Sequence, residues 1–143
     1  MLANLCPTCT IHGIDFSKLM YRGASKYNKP YINNGRVQLQ YGDFLKTSLD
    51  SNYDKVFCLN VVYFWNELNS PFKKVMSLLK KGGAFHIYMA DENTLTKMKV
   101  PDSVFNKYSI EQVSEALKAA GFESVDQYES EVSILKRRNK RVQ

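Results

Sequence analysis

Thr10-Ile11-His12-Gly13-Ile14-Asp15, Val37-Gln38-Leu39-Gln40-Tyr41-Gly42-Asp43 and Lys55-Val56-Phe57-Cys58-Leu59-Asn60 are the stretches that decide the fold. Each reads as a strand, and each ends on a polar residue: Asp15, Asp43 or Asn60. Helical patterns follow the first and the third, and Lys80-Lys81-Gly82-Gly83 leads from the second helix into a fourth strand. In open parallel α/β sheets, ligands bind just outside the carboxyl ends of the strands, so these termini should converge on one crevice. Two aspartates and an asparagine suit a ligand with hydroxyl and amino groups better than a bare phosphate. A nucleoside-like ligand is expected.

Between these strands the punctuation is helical. Ser17 can cap a helix in which Leu19, Met20, Ala24 and Tyr27 recur at helical spacing, ended by Pro30 and Asn33-Asn34-Gly35. Phe44 to Asn52 reads as an irregular crossover. Val56 to Val62 is nearly continuously apolar, as for a central parallel strand covered on both faces. Ser70 as N-cap and Pro71 as first residue open the next helix, with Phe72, Val75, Met76, Leu78 and Leu79 as its buried stripe and Gly82 as its terminator. Ala84 to Ala90 reads as a strand, and a short helix is expected around Asn93 to Met98. Ser109 and Gln112 form a capping box for a helix through Ala120, stopped by Gly121. Two short strands, about Ser124–Glu129 and Glu131–Lys136, are so close that only an antiparallel hairpin can join them. The expected fold class is α/β: a doubly wound, mostly parallel sheet with an antiparallel carboxyl-terminal strand, in a single domain over 1–143.

Composition narrows the function classes. Apolar residues are 44% and charged residues 24% of the 143, ordinary for a globular chain. The longest apolar run, Val61–Trp65, or Val56–Trp65 if Asn60 is forgiven, falls far short of the ~20 residues of a membrane helix. A secretory leader pattern is not visible, so a cytoplasmic location without membrane contact is the expectation. The net charge of +6 is concentrated at the end, where Lys136, Arg137, Arg138, Lys140 and Arg141 supply five charges. Such a basic tail, 138–143 at its core, can hold nucleic acid nonspecifically, but it is more often a solvated end. Cys6-Pro7-Thr8-Cys9 is a C-x-x-C pair lying before a strand, and no further ligands fall at zinc spacing. No metal is expected, and an incidental loop pair is the plainer reading beside a zinc half-site or a redox dithiol.

These residues resemble class I S-adenosylmethionine-dependent methyltransferases. Gly13-Ile14-Asp15-Phe16-Ser17, with Met20 and Ala24, is similar to that family's second strand and the helix after it. Tyr41-Gly42-Asp43-Phe44 resembles the end of its third strand. Tyr53 through Trp65 resembles its fourth strand and post-strand loop, and Leu78-Leu79-Lys80-Lys81-Gly82-Gly83 its Leu-Lys-Pro-Gly-Gly turn, with Lys81 in place of proline. Tyr108 through Phe122 resembles its penultimate helix. The resemblance covers residues 11–137 and implies a Rossmann-like sheet with S-adenosylmethionine as cofactor. It implies that Asp15 accepts from the two ribose hydroxyls, with Phe16 and Met20 near the adenine and ribose. Asp43 would accept from the adenine amino group, the Phe44 N–H would meet a ring nitrogen, and Asn60 and Val61 would border the methionine part. The plainer alternative is that Asp15 and Asp43 are strand-end residues capping the next turn.

The family's glycine-rich loop and first strand find no counterpart, since a βαβ unit needs about 30 residues and Asp15 has fourteen before it. The chain therefore resembles a family member without its amino-terminal unit. In the family's strand order the neighbours of that first strand lose partners, and buried unpaired groups cost about 1–3 kcal/mol each. The two strands could close up, another chain could supply the strand (a homo-oligomer among the options), or the fold could be marginal. Reduced stability and weak cofactor binding are expected. Methyl transfer from a sulfonium is largely a matter of alignment. The catalytic residues stay unassigned; Tyr63, Trp65 and Glu67 sit where substrate contacts are expected, Glu67 or Tyr63 could serve as a base if the acceptor needs one, and core packing is the alternative for the aromatics. The Asn60-Val61-Val62-Tyr63-Phe64-Trp65 segment is closest to bacterial small-molecule methyltransferases, and the Asn-Pro-Pro-Tyr type of nucleic-acid enzymes is missing. A small-molecule acceptor is favoured over a noncatalytic scaffold domain and over an RNA- or protein-directed enzyme.

Overall fold

A computed structural model describes residues 2–50 and 52–128. A single helical turn, α1 (Leu2–Leu5), precedes β1 (Ile11–Asp15), α2 (Lys18–Tyr27), α3 (Lys29–Asn33) and β2 (Val37–Tyr41). Then come β3 (Tyr53–Leu59), a 3-10 turn at Val62–Phe64, α4 (Asn69–Leu78), β4 (Leu79–Tyr88), α5 (Glu92–Lys97) and α6 (Ile110–Ala120). Cys6 and Cys9 are joined as a disulfide between α1 and β1, so the C-x-x-C pair is a covalent loop.

Among the described residues all strand pairing is parallel, but it does not make one sheet. β1 pairs with β2, Ile11 opposite Val37 and Asp15 opposite Tyr41. β3 pairs with β4, Val56 opposite Phe85 and Leu59 opposite Tyr88. Among the described residues the two pairs share no ladder, so the mostly parallel sheet is divided into two half-sheets. The N–H groups of a strand alternate between its two sides. Ile11 donates to the Arg36 carbonyl (2.9 Å) and Asn60 to the Tyr88 carbonyl (2.8 Å), toward their partners. The amides of His12 and Ile14, and those of Phe57 and Leu59, therefore face the unpaired edges. A 2.8 Å hydrogen bond between His12 Nδ1 and the Tyr53 hydroxyl links the two open-edged strands.

The core belongs to the second half. Cys58, Val62, Tyr63, Leu68, Phe72, Leu95 and Val113 form one buried cluster, with Phe85, Ile87 and Phe122 packed against it. Alternation along β3 and β4 places Cys58, Phe85 and Ile87 in this cluster. Phe57 (46% exposed), Leu59 (57%) and Tyr88 (48%) point to the other face. β3 was expected to be covered on both faces and is covered on one, because the packed elements α4 and α6 share a single side. Among the described residues of the first half, Val37 and Ala3 are the buried hydrophobics.

The helices begin and end mostly as expected. Ser17 caps α2 through a 3.4 Å bond from the Met20 N–H, yet Leu19, Met20 and Tyr27 on that helix are exposed. Pro30 does not follow α2 but lies in the first turn of a separate helix, α3, where its missing N–H costs nothing. The cap of α4 is corrected: Ser70 sits inside the first turn, and the Glu67 carboxylate accepts from the Asn69 (2.7 Å) and Ser70 (3.1 Å) N–H groups. Gly82 keeps a left-handed φ of 78°, but within β4 and beyond the helix end, where the register of β4 on β3 slips. Asp91 caps α5 through the Thr94 N–H (2.7 Å). The capping box of Ser109 and Gln112 opens α6, and Gly121 closes it at φ 106°. Residues 124–128 form no strand, against expectation. The proposed partner strand and the basic tail lie outside the described residues.

Candidate functional site

The loops after β1, β2 and β3 meet at the carboxyl ends of the strands. Gly42 N–H donates to the Asp15 carbonyl (3.0 Å), which sets the start of the second loop beside the end of β1. Phe16 and Phe64 meet edge to face at 5.4 Å between centroids, joining the loops after β1 and β3. Phe44 and Trp65 lie 6.1 Å apart, joining the loops after β2 and β3. Asp15, Asp43 and Asn60 therefore stand on three loops that touch.

Asp15 is half-buried, and its Oδ1 accepts from the Ser17 N–H at 2.7 Å. A carboxylate has about four lone-pair sites, so its other oxygen can still take a hydroxyl donor. Gly13 lies two residues before it, where an added Cβ would come within 2.7 Å of Leu39 Cδ2. An added methyl there would oblige the Leu39 side chain to move aside. Asp43 is exposed; its Oδ1 accepts from the Leu45 N–H at 2.9 Å, and Lys46 Nζ stands 3.9 Å from Oδ2. The Phe44 N–H finds no acceptor among the described residues. Phe16 and Met20 are exposed, 54% and 61%, on the rim of the same end.

The loop after β3 is held by a network of side-chain hydrogen bonds. Asn60 adopts a left-handed φ of 54°, which turns the chain out of the strand. Its side-chain oxygen accepts from the Tyr63 hydroxyl at 3.1 Å, and that hydroxyl accepts in turn from the Ala90 N–H. Asn106 was not anticipated from sequence. Its side-chain amide donates to the Tyr63 and Trp65 carbonyls, each at 3.0 Å, and the Tyr108 hydroxyl donates to the Trp65 carbonyl at 2.7 Å. An asparagine in a polar stretch gives no sequence signal for a partner 43 residues away. Val61 is half-buried and starts the 3-10 turn.

Burial raises the Tyr63 hydroxyl above the usual phenol range, despite the Ala90 N–H, which acts the other way. Glu67 lies below the usual carboxyl range, held there by the Ser70 hydroxyl and the Ser70 N–H. Both groups are therefore engaged by the protein itself: Tyr63 in the core and Glu67 on the end of α4. Trp65 is half-buried between Phe44 and Phe72. Among the described residues no cluster of His, Cys, Asp or Glu could hold a metal, and no helix is long and apolar enough to cross a membrane. A cavity of about 180 Å³ lies against α2, β1 and β2, lined by Gly13, Ile14, Asp15 and Tyr21 among others, and reaches the site only at Asp15.

A parallel α/β fold whose loops adjoin at three strand ends has the layout of the Rossmann-like class, in which ligands bind outside the carboxyl ends of the strands. Residues 1–85 match the family model described as "Methyltransferase domain". The chain belongs to that family of S-adenosylmethionine-dependent methyltransferases. It is similar to the sterol 24-C-methyltransferase of Saccharomyces cerevisiae, 25% identical over an alignment of 128 positions that covers 80% of this chain and 33% of the relative. The chain thus spans about a third of the length of the curated relatives it matches. Among solved structures it is similar to a Pyrococcus horikoshii OT3 protein, with a TM-score of 0.64 and 27% identity over 77% of this chain and 61% of that one. The S-adenosylmethionine-dependent methyltransferase SibL shares the fold, with a TM-score of 0.72 and 17% identity over 92% of this chain and 42% of that one.

Proposed function

We propose that this chain carries the nucleoside-holding part of a methyltransferase that acts on a small-molecule acceptor. The observation that carries the reading is the meeting of the three loops through Phe16–Phe64 and Phe44–Trp65, with Asp15, Asp43 and Asn60 standing on them. The donor set suits the nucleoside half of S-adenosylmethionine. The free oxygen of Asp15 takes a ribose hydroxyl, the carboxylate of Asp43 takes the adenine amino group, and the unpartnered N–H of Phe44 meets a ring nitrogen. Phe16 and Met20 supply apolar surface to the base and sugar, and Asn60 and Val61 border the methionine side. The cofactor, when bound, supplies an activated methyl group on a sulfonium.

The protein's part is then alignment and exclusion of water. Trp65 and the neighbouring aromatic surface offer an apolar wall for an acceptor, and Tyr63 and Glu67 act by holding that wall in place. Neither is assigned as a base, because each already serves the fold. The sterol named for the relatives is one acceptor of the apolar kind such a wall would admit. The expected cytoplasmic setting belongs to this proposal as well. A scaffold role is the second reading, favoured by the open seam between β1 and β3.

Calorimetric titration with S-adenosylhomocysteine tests the proposal. The chain should bind it, and Asp15→Ala should weaken binding at least about tenfold, the loss of a charge-assisted hydrogen bond. No binding by a folded chain would leave the scaffold reading.

A further inference from the structure

We propose that Lys74 is a positioning residue that sets the base-recognition loop, residues 43–47, against the rest of the site; the inference rests on the cofactor reading above. Lys74 lies in the body of α4, in the second half of the molecule, and reaches across to the loop that follows β2. An ammonium has three donors and no acceptor. Here three carbonyl oxygens receive it: Phe44 at 2.5 Å, Thr47 at 2.6 Å and Leu45 at 3.2 Å. The same nitrogen stands 5.0 Å from the centroid of the Phe44 ring, a cation–π distance. No carboxylate pairs with it among the described residues.

The loop closes on itself without this lysine, since the Thr47 N–H (2.9 Å) and hydroxyl (2.7 Å) both donate to the Asp43 carbonyl. What Lys74 adds is direction. Drawing the carbonyls of Phe44, Leu45 and Thr47 toward α4 leaves the Asp43 carboxylate and the Phe44 N–H to face a ligand. It also fixes the Phe44 ring beside Trp65. A lysine serving only to solubilise α4 would extend into water instead. The ligand chemistry it tunes is the amino group and ring nitrogen of a purine base.

The test compares S-adenosylhomocysteine with S-inosylhomocysteine, whose base carries an oxygen in place of the amino group. The wild-type chain should prefer the adenine compound at least about tenfold. In Lys74→Gln or Lys74→Met (two variants, so that one folded protein suffices), adenine affinity should fall about tenfold, the value of a charge-assisted hydrogen bond. The preference between bases should nearly vanish, and the emission of Trp65, the sole tryptophan, should shift in the ligand-free protein. Lys74→Arg should keep most of the preference. An equal loss for both compounds, with preference intact, would overturn the proposal and leave Lys74 as a stabilising contact only. Binding of neither compound by the wild-type chain would overturn the cofactor reading itself, so the two failures are told apart by the wild-type titration.

Discussion

Asn60 and Tyr63 show how a single residue can serve the fold and the site at once. The Tyr63 hydroxyl is the acceptor for the Ala90 N–H and the donor to Asn60, which holds a strained left-handed turn. Tyr63→Phe leaves a half-buried N–H unpaired, a cost of about 1–3 kcal/mol. Its melting temperature should drop by roughly 3–10 °C, read by circular dichroism, while the affinity for S-adenosylhomocysteine changes little if Tyr63 acts only on the turn. Cys58 offers a second check at this scale. Burial pushes its thiol up to about 11, above the usual cysteine range. Alkylation of Cys58 at pH 8 should be roughly a hundredfold slower in the native chain than after denaturation, since the thiolate is the reactive form. Asp15, Asp43 and Asn60 were legible in the sequence because each ends a strand-like run. Asn106 and Lys74 were not, because their partners are backbone carbonyls distant in the chain, and a carbonyl carries no sequence signature.

Among the elements, those with local causes were legible and those with tertiary causes were not. The capping box of Ser109 and Gln112 and the glycine stop at Gly121 are local, and both stand where expected. The cap of α4 depended on whether Ser70 or Glu67 reached the free N–H groups, and the longer carboxylate side chain did. Glu67 lies below the ordinary carboxyl range, so its contribution is present above that range and is lost as the pH falls below about 4.5 through the folded value. Glu67→Gln should therefore melt lower than wild type at pH 7, with the gap narrowing as the pH falls through the lowered folded value. Hydrogen exchange checks the strand edges. The amides of Gly13, Asp15, Val56 and Cys58 should be protected, while those of His12, Ile14, Phe57 and Leu59, facing the seam, should exchange far faster.

At the scale of the whole molecule the hydrophobic core is lopsided. Seven buried residues of the main cluster all follow β2 in the chain, and the β1–β2 half buries little of its own. Cooperative unfolding needs a shared core, so the halves should part company on denaturation. Far-UV circular dichroism should begin to change before the fluorescence of Trp65, which reports the better-packed half; coincident transitions would refute this. Open edges on β1 and β3 were among the expectations from the resemblance. That the halves stay apart, with the His12–Tyr53 hydrogen bond between their strands, was not legible in the sequence. That link gives the seam a meaning for binding. Asp15 and Asp43 stand on one side of it, Asn60 and Val61 on the other, so a molecule gripped by all four acts as a bolt through two plates. Saturating S-adenosylhomocysteine should then merge two melting steps into one, with the ligand itself supplying the cooperativity that the polypeptide lacks.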